Sequence, residues 1–296
     1  MPASDKQRSR QRPGPGVPDA SQAHAGGPDA SMRHYALLFA AAERRAAAQA
    51  LFAFFDEVHG IGDSVSEPHV ASAKLAWWQT EIDHGYHGLP TTHPLMARLM
   101  PYLRHHGIEQ RHLLAMVEGS DIKAGQDAYA TFSDLTRYCA LSGGALWEAL
   151  SGFFGPPSWR ITRYARTLGQ ALQLTRIIRD VGHDAHHGRI FLPVDELQQF
   201  GVDMEDILDG KHGDGLRRLL QFQAERARTL FDEAIGHLQA DGQLQPHKPG
   251  LIMTSLYRRL LDHMEKHDFP VLAQRPDLLP LRKFWLAWKM QALGRF

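Results

Sequence analysis

The 296-residue chain has one cysteine, Cys139. No disulfide can therefore form within it, and a reducing compartment is the default expectation. Long apolar runs are also missing. Nothing approaches the ~20 residues of a membrane span, and the nearest candidates, Tyr35–Ala42 and Ala46–Phe55, are split by Glu43, Arg44 and Arg45. The N-terminus lacks the apolar core of a secretory signal. Nor is there an excess of charge of one sign: Lys plus Arg and Asp plus Glu each number 33. The basic surplus that marks bulk nucleic-acid binding is absent, so no nucleic-acid partner is expected. These absences point to a cytoplasmic location, with peripheral contact as the remaining route to a membrane. Residues 1–30 hold no Phe, Trp or Tyr and are rich in Pro, Gly, Ser and Ala. Such a segment buries too little apolar surface to offset its ordering entropy, so it reads as a disordered tail ahead of one domain over 31–296.

From residue 31 onward the pattern is helical. Ala, Leu, Gln, Glu and Arg dominate, apolar residues recur every three or four positions, and no alternating strand pattern stands out. Breaks fall at the Gly, Pro and His clusters His87–Pro94, Gly155–Pro157, Gly210–Gly215 and Gln243–Gly250. With 43% hydrophobic residues the chain can bury a sizeable core. The expected fold class is all-α, a single bundle of eight or more helices. The last segment, Leu278–Phe296, mixes Phe284, Trp285 and Trp288 with Arg282, Lys283, Lys289 and Arg295. It reads as a closing helix that buries its tryptophans, or as a helix lying on an anionic membrane surface.

Two segments concentrate residues that can carry chemistry. The first runs Ala50-Leu-Phe-Ala-Phe-Phe-Asp56-Glu57-Val-His59-Gly60-Ile-Gly62-Asp63-Ser-Val-Ser-Glu67. The second runs Gln173-Leu-Thr-Arg176-Ile-Ile-Arg179-Asp180-Val-Gly-His183-Asp184 and continues through His187-Gly-Arg189-Ile-Phe-Leu-Pro193. Asp180 and Asp184 lie four apart, so on a helix their carboxylates share one face. Carboxylates so placed can share a hard divalent cation that in turn holds diphosphate oxygens. A solvated acidic face balanced by Arg179 and Arg189 is the alternative. Most of the 18 histidines, such as His105 and His106, read as surface residues.

Together these segments resemble the squalene/phytoene synthase family. The opening Tyr35–Gly60 with its Glu43-Arg-Arg run is similar to that family's start. So are Ala73–Trp78 followed by Glu81, His93-Pro94, Leu135–Cys139 with Gly143 and Gly144, Leu168–Leu197, Tyr257–Asp262 and Phe284–Trp288. The resemblance implies an isoprenoid-synthase-type helical bundle. It also implies head-to-head condensation of two prenyl diphosphates, with Mg²⁺ or Mn²⁺ bridging two facing aspartate motifs to the substrate. Carried over by residue, it makes Asp63, Asp180 and Asp184 the catalytic carboxylates. The metal ligands would be these three with His59 and His183, and the substrate-binding residues Tyr35, Gln173, Arg179 and Arg189. Phe52, Phe55, Leu141, Leu146, Leu172 and Ile177 would form the apolar wall for a prenyl tail.

The chain departs from the family pattern at several of these positions. Where the first motif has Asp-Asp-x-x-Asp, this chain has His59, Gly60, Ile61, Gly62 and Asp63. Asp56 stands where an arginine is usual, Arg176 where an asparagine is usual, and His183 where a glutamate is usual. Histidine in place of carboxylate suits softer metals than magnesium. The stretch Asp63-Ser-Val-Ser-Glu67 also resembles the mitochondrial complex I assembly factor of the same fold. That resemblance implies a non-catalytic relative that binds a partner in a respiratory complex.

Overall fold

A computed structural model describes residues 27–294 apart from Ser66 and Asp127; most of the expected tail lies outside the described residues. Fourteen α-helices and one π-helical turn occur among them. The first six are α1 (Gly27–Leu37), α2 (Ala42–His59), the single turn α3 (Ile61–Ser64), α4 (Pro68–His87), α5 (Pro94–His105) and α6 (Gln110–Gly125). Helix α7 (Phe132–Cys139) runs through the π-helical turn Ala140–Gly144 into α8 (Ala145–Phe154). The remainder are α9 (Trp159–Ala185), the short α10 (Val194–Gln199) and α11 (Met204–Leu208), α12 (Asp214–Asp241), α13 (Lys248–Lys266) and α14 (Pro280–Leu293). Among the described residues there is no strand, only an isolated bridge between Ala128 and Ile190. The all-α expectation holds, and each break expected from Gly, Pro and His clusters falls at a helix boundary.

Local chemistry explains several of these boundaries. Pro68, at the first position of α4, gives up no hydrogen bond there, and Gly88 ends the helix with φ +75°. Thr131 and Asp134 form a reciprocal capping box on α7. The Ser158 hydroxyl accepts from the Ile161 amide to start α9.

Helix α9 is the axis of the bundle. It is 27 residues long and buried over most of its length, against α12 on one side and the π-helical turn with α8 on the other. Two close approaches fix it. A Cβ on Gly143 or Gly169 would collide with the other residue's backbone carbonyl, so the π-helical turn and α9 meet at bare backbone. One turn beyond the middle of the site, a Cβ on Gly182 would collide with the Val271 carbonyl. That absence lets the segment between α13 and α14 lie directly on α9.

Two expectations need correction here. The tail boundary after residue 30 falls inside α1, which already begins at Gly27. Asp29 is held there by ion pairs to Arg176 and Arg179, at 2.9 and 2.8 Å. Composition alone gives no hint of this, because the partners lie about 150 residues away. The closing helix α14 buries Lys283, Ala287 and Met290 but leaves Trp285 53% and Trp288 49% exposed. Its tryptophans are not core.

Candidate functional site

Helices α2 and α3, α6, α7, α9 and the segment before α14 converge on one cleft. It is lined by His59, Asp63, Lys123, Tyr138, Gln173, Arg176, Ile177, Asp180, His183, Asp184, His187, Arg189, Phe191 and Arg275. The structure therefore brings both sequence motifs together, with Asp63 on one wall and Asp180 and Asp184 on the other. Their environments decide what each can do.

Asp63 is half exposed, yet both its oxygens are occupied. Lys123 Nζ lies 2.7 Å from Oδ2, and Arg189 bonds Oδ1 while donating to the Gly62 carbonyl at 2.6 Å. Burial alone would raise the Asp63 pKa, but the two cations hold it below the usual carboxylate range. Lys123 is itself buried. Desolvation lowers its pKa, and the Asp63 carboxylate offsets part of that loss.

Asp180 is gripped from two sides. Arg179 donates to its two oxygens at 2.6 Å each, and Arg275 does so at 2.7 Å each. Burial opposes ionisation, but Arg179 and Arg275 keep Asp180 a carboxylate. Arg179 is completely buried and its remaining donors reach Asp29, which also accepts from the Tyr257 hydroxyl at 2.7 Å. The residue expected to bind substrate thus lies behind the cleft, saturated by two carboxylates.

Among the described residues, Asp184 has no ion-pair partner. Burial, and then the neighbouring Asp180 charge, push its pKa up to about 7, so it is a mixture of carboxyl and carboxylate at neutral pH.

The histidines divide. His59 is buried, with its ring stacked on Phe55 at 4.9 Å and its Nε2 3.3 Å from the Tyr138 hydroxyl. Burial first, then Lys123 and Arg176, keep it neutral. Gln173 donates to the same hydroxyl at 3.1 Å and accepts from Arg176 at 3.2 Å. Gln173 lines the cleft, but its side chain serves this internal chain of hydrogen bonds. His183 is exposed and lies edge-on to His187. Tyr35 packs on the core beside His34 and does not line the cleft.

The state of these donors decides whether a divalent metal fits. Magnesium needs several free hard oxygens. Asp63 and Asp180 have theirs taken by Lys and Arg, which leaves Asp184 as a single carboxyl without such a partner among the described residues. The residues present do not fit a magnesium cluster. They do not fit a softer ion either. Among the described residues, the His, Cys, Asp and Glu group whose ligand atoms lie within 4.8 Å of one another is Glu43, His105 and His106, none of which lines the cleft. Cations and carboxylates alternate around the cleft. Lys123, Arg176, Arg189 and Arg275 face three aspartates, one of them half neutral.

Behind Gln173 and Arg176 lies a narrow apolar slot lined by Arg33, Phe52, Phe55, Leu146, Trp147, Leu172, Met253 and Tyr257, among others. Four of the six expected wall residues are here, Ile177 is in the cleft itself, and Leu141 backs the turn against Gly119. The slot holds only about 20 Å³, against about 140 Å³ for the cleft. Arg33 partly fills it. Its guanidinium sits 4.4 Å from the Phe52 ring centroid and pairs with Asp56 at 2.7 Å. The anion at position 56 therefore has its cation supplied by α1.

Sequence reasoning missed Lys123, Arg275 and Asp29 as site residues. None belongs to a local motif, and each reaches the motif residues through the fold.

The model of the family described as squalene/phytoene synthase matches residues 29–283. Phytoene synthase 1, chloroplastic, of Arabidopsis thaliana is 32% identical over 250 residues, covering 81% of this chain and 58% of that protein. The 15-cis-phytoene synthase of Synechococcus elongatus is 30% identical over 253 residues, covering 79% and 80%. The chain thus spans less than two thirds of the plant relative but most of the cyanobacterial one. A crystal structure of a dehydrosqualene synthase in complex with ligand superposes with TM-score 0.79 at 21% identity, covering 88% of this chain and 91% of that one. That of squalene synthase HpnC from Alicyclobacillus acidocaldarius gives 0.71 at 24%, covering 80% and 88%. Among the described residues, no helix is long and apolar enough to cross a membrane. Fold, motif placement and sequence match agree that the chain belongs to the squalene/phytoene synthase family.

Proposed function

We propose that the protein acts on isoprenoid diphosphates in the family's reaction class, head-to-head prenyl condensation, and receives the diphosphate on lysine and arginine side chains rather than on magnesium. The observation that carries this reading is the cleft itself. Lys123, Arg176, Arg189 and Arg275 reach it from α6, α9, the loop after α9 and the segment before α14. Bidentate guanidinium groups match phosphate oxygens geometrically, and fixed cations stabilise the charge that builds on a departing diphosphate. The apolar slot behind Gln173 is the place for a prenyl tail. Its small volume requires Arg33 and the Phe52 and Phe55 rings to move when a tail enters.

A second reading, retention of an isoprenoid diphosphate without turnover, is favoured by the ion pairing of Asp63 and Asp180. It suits the non-catalytic role that the Asp63–Glu67 resemblance implies, including a respiratory-complex partner. Incubation with farnesyl or geranylgeranyl diphosphate, with and without Mg²⁺ or Mn²⁺, separates the two. Released diphosphate together with a coupled C30 or C40 product supports condensation. Tight binding with no release supports retention, and no binding of either compound overturns both.

A further inference from the structure

Helix α14 is apolar on both faces. One face, Lys283, Ala287 and Met290, is buried, with the Lys283 ammonium paired to Asp277 at 2.6 Å and bonded to Ser31. The opposite stripe, Leu281, Trp285, Trp288 and Ala292, is spaced at one helical turn and faces outward. Leu281 is 80% exposed, and Phe284 and Leu279 widen the strip, at 43% and 75%. Among the described residues nothing covers this strip, and a run of this size with two tryptophans at its centre is unusual for a free protein surface. From Leu279 to Leu293 the sequence holds no acidic residue, and Arg282 and Lys289 lie off the buried face that Lys283 occupies. Lys289 lies over the Trp285 ring, with its Nζ 5.5 Å from the centroid. Lys248, at the start of α13, donates to the Gln291 carbonyl at 2.9 Å and adds a cation at the far end.

We infer that this face of α14 is a docking surface for an anionic lipid bilayer. Tryptophan and leucine on one stripe, with lysine and arginine at its edges, match an interface whose interior is apolar and whose headgroups are negative. A second copy of the chain is a poor occupant. Two such faces opposed would set Arg282 and Lys289 against the same cations, with no carboxylate on α14 to pair with them. The docked helix is tied to the cleft. The segment from Val271 to Leu279 leads straight into α14, and it carries Arg275 onto Asp180 and Asp277 onto Lys283. Docking thus tethers the segment that carries Arg275. The inference stands on the exposed face and does not require turnover at the cleft.

The test is co-sedimentation of the full chain with two kinds of vesicle, phosphatidylcholine alone and phosphatidylcholine mixed with phosphatidylglycerol. The double variants Trp285→Ser/Trp288→Ser and Arg282→Glu/Lys289→Glu are compared with wild type after their thermal unfolding has been shown unchanged. Wild type should bind the anionic vesicles and bind the neutral ones about tenfold more weakly, and each double variant should lose about tenfold in affinity for the anionic vesicles. Failure of wild type to bind anionic vesicles overturns the inference. So does binding that survives both variants, or a dimer in solution that the tryptophan variant dissociates.

Discussion

The ammonium of Lys123 on α6 lies 2.7 Å from the carboxylate of Asp63 on α3, 60 residues earlier in the chain. Arg189 closes the other side of the same carboxylate. The one acidic residue left in the first motif thus serves as counter-ion to the protein's own cations. Asp63 in turn holds Lys123 and Arg189 in place, and in the proposed reading these two cations meet the diphosphate. Replacing Lys123 by Met keeps much of the volume and removes the charge. Affinity for inorganic diphosphate, measured by calorimetry, should fall about tenfold or more, as expected for loss of a charged hydrogen-bond donor. An unchanged affinity would show that the anion is held elsewhere.

Asp184 sets a pH dependence. Its pKa in the folded protein is pushed up to about 7, against about 3.9 for a free aspartate. The favourable contribution of the protonated group is complete below about pH 4 and is lost as pH rises through 7. Asp184→Asn should therefore stabilise the protein at pH 8, by about 1–2 kcal/mol after allowance for solvent screening, and change it little at pH 4. The same substitution should flatten the loss of diphosphate affinity between pH 6 and 8, because the wild-type carboxyl ionises toward the anion there. Denaturant unfolding and calorimetry at these pH values check both statements.

Asp29 anchors α1 to the centre of the bundle. Two arginines and Tyr257 meet on its carboxylate, and Arg179 has no solvent exposure to fall back on. Asp29→Asn leaves Arg176 without a carboxylate and Arg179 with Asp180 as its remaining ion-pair partner. The loss should be about 3 kcal/mol, the range for breaking a buried ion pair from one side. Urea unfolding of the full chain reads it directly. A loss below about 1 kcal/mol would mean that α1 is not the structural element described here.

Backbone contact between Gly143 and Gly169 gives a sharper stability test. A single methyl at Gly169 would meet the Gly143 carbonyl and the Gly144 Cα, both backbone, so α9 and the π-helical turn must separate. Gly169→Ala should cost about 3 kcal/mol or more, whereas Gly236→Ala on α12, where a Cβ meets nothing within 4 Å, should be neutral or stabilising. The melting temperatures of the two variants should move in opposite directions or differ widely.

The bundle was legible in sequence because its signals are local. Helical periodicity and the breaks at His87–Pro94 and Gly155–Pro157 each act within a few residues of themselves. Asp63, Asp180 and Asp184 were legible for a related reason, since each sits inside a recognisable stretch. Their charge states were not. Lys123 sits near the end of α6 with the look of a solvated lysine, and Arg275 lies in a segment with no periodicity. The fold alone carries them to Asp63 and Asp180. Asp29 was assigned to the tail because its neighbours are Gly26, Gly27, Pro28 and Ala30, and nothing in that composition announces two arginines some 150 residues away. On α14 the spacing of Trp285 and Trp288 fits a buried stripe and an outward one equally well. The opposite face of the same helix is apolar enough to occupy the core position.

Recognition of diphosphate by the cleft's own cations is open to direct measurement. Calorimetric titration with farnesyl diphosphate, once in EDTA and once in excess Mg²⁺, tests it most directly. Binding is expected in EDTA, with Mg²⁺ leaving the affinity unchanged or weakening it by sequestering the anion, and binding about tenfold or more weaker in Lys123→Met. Binding that appears only with Mg²⁺ and disappears in Asp180→Ala would contradict it, because it would show that the ion pairs at Asp63 and Asp180 give way to a metal cluster.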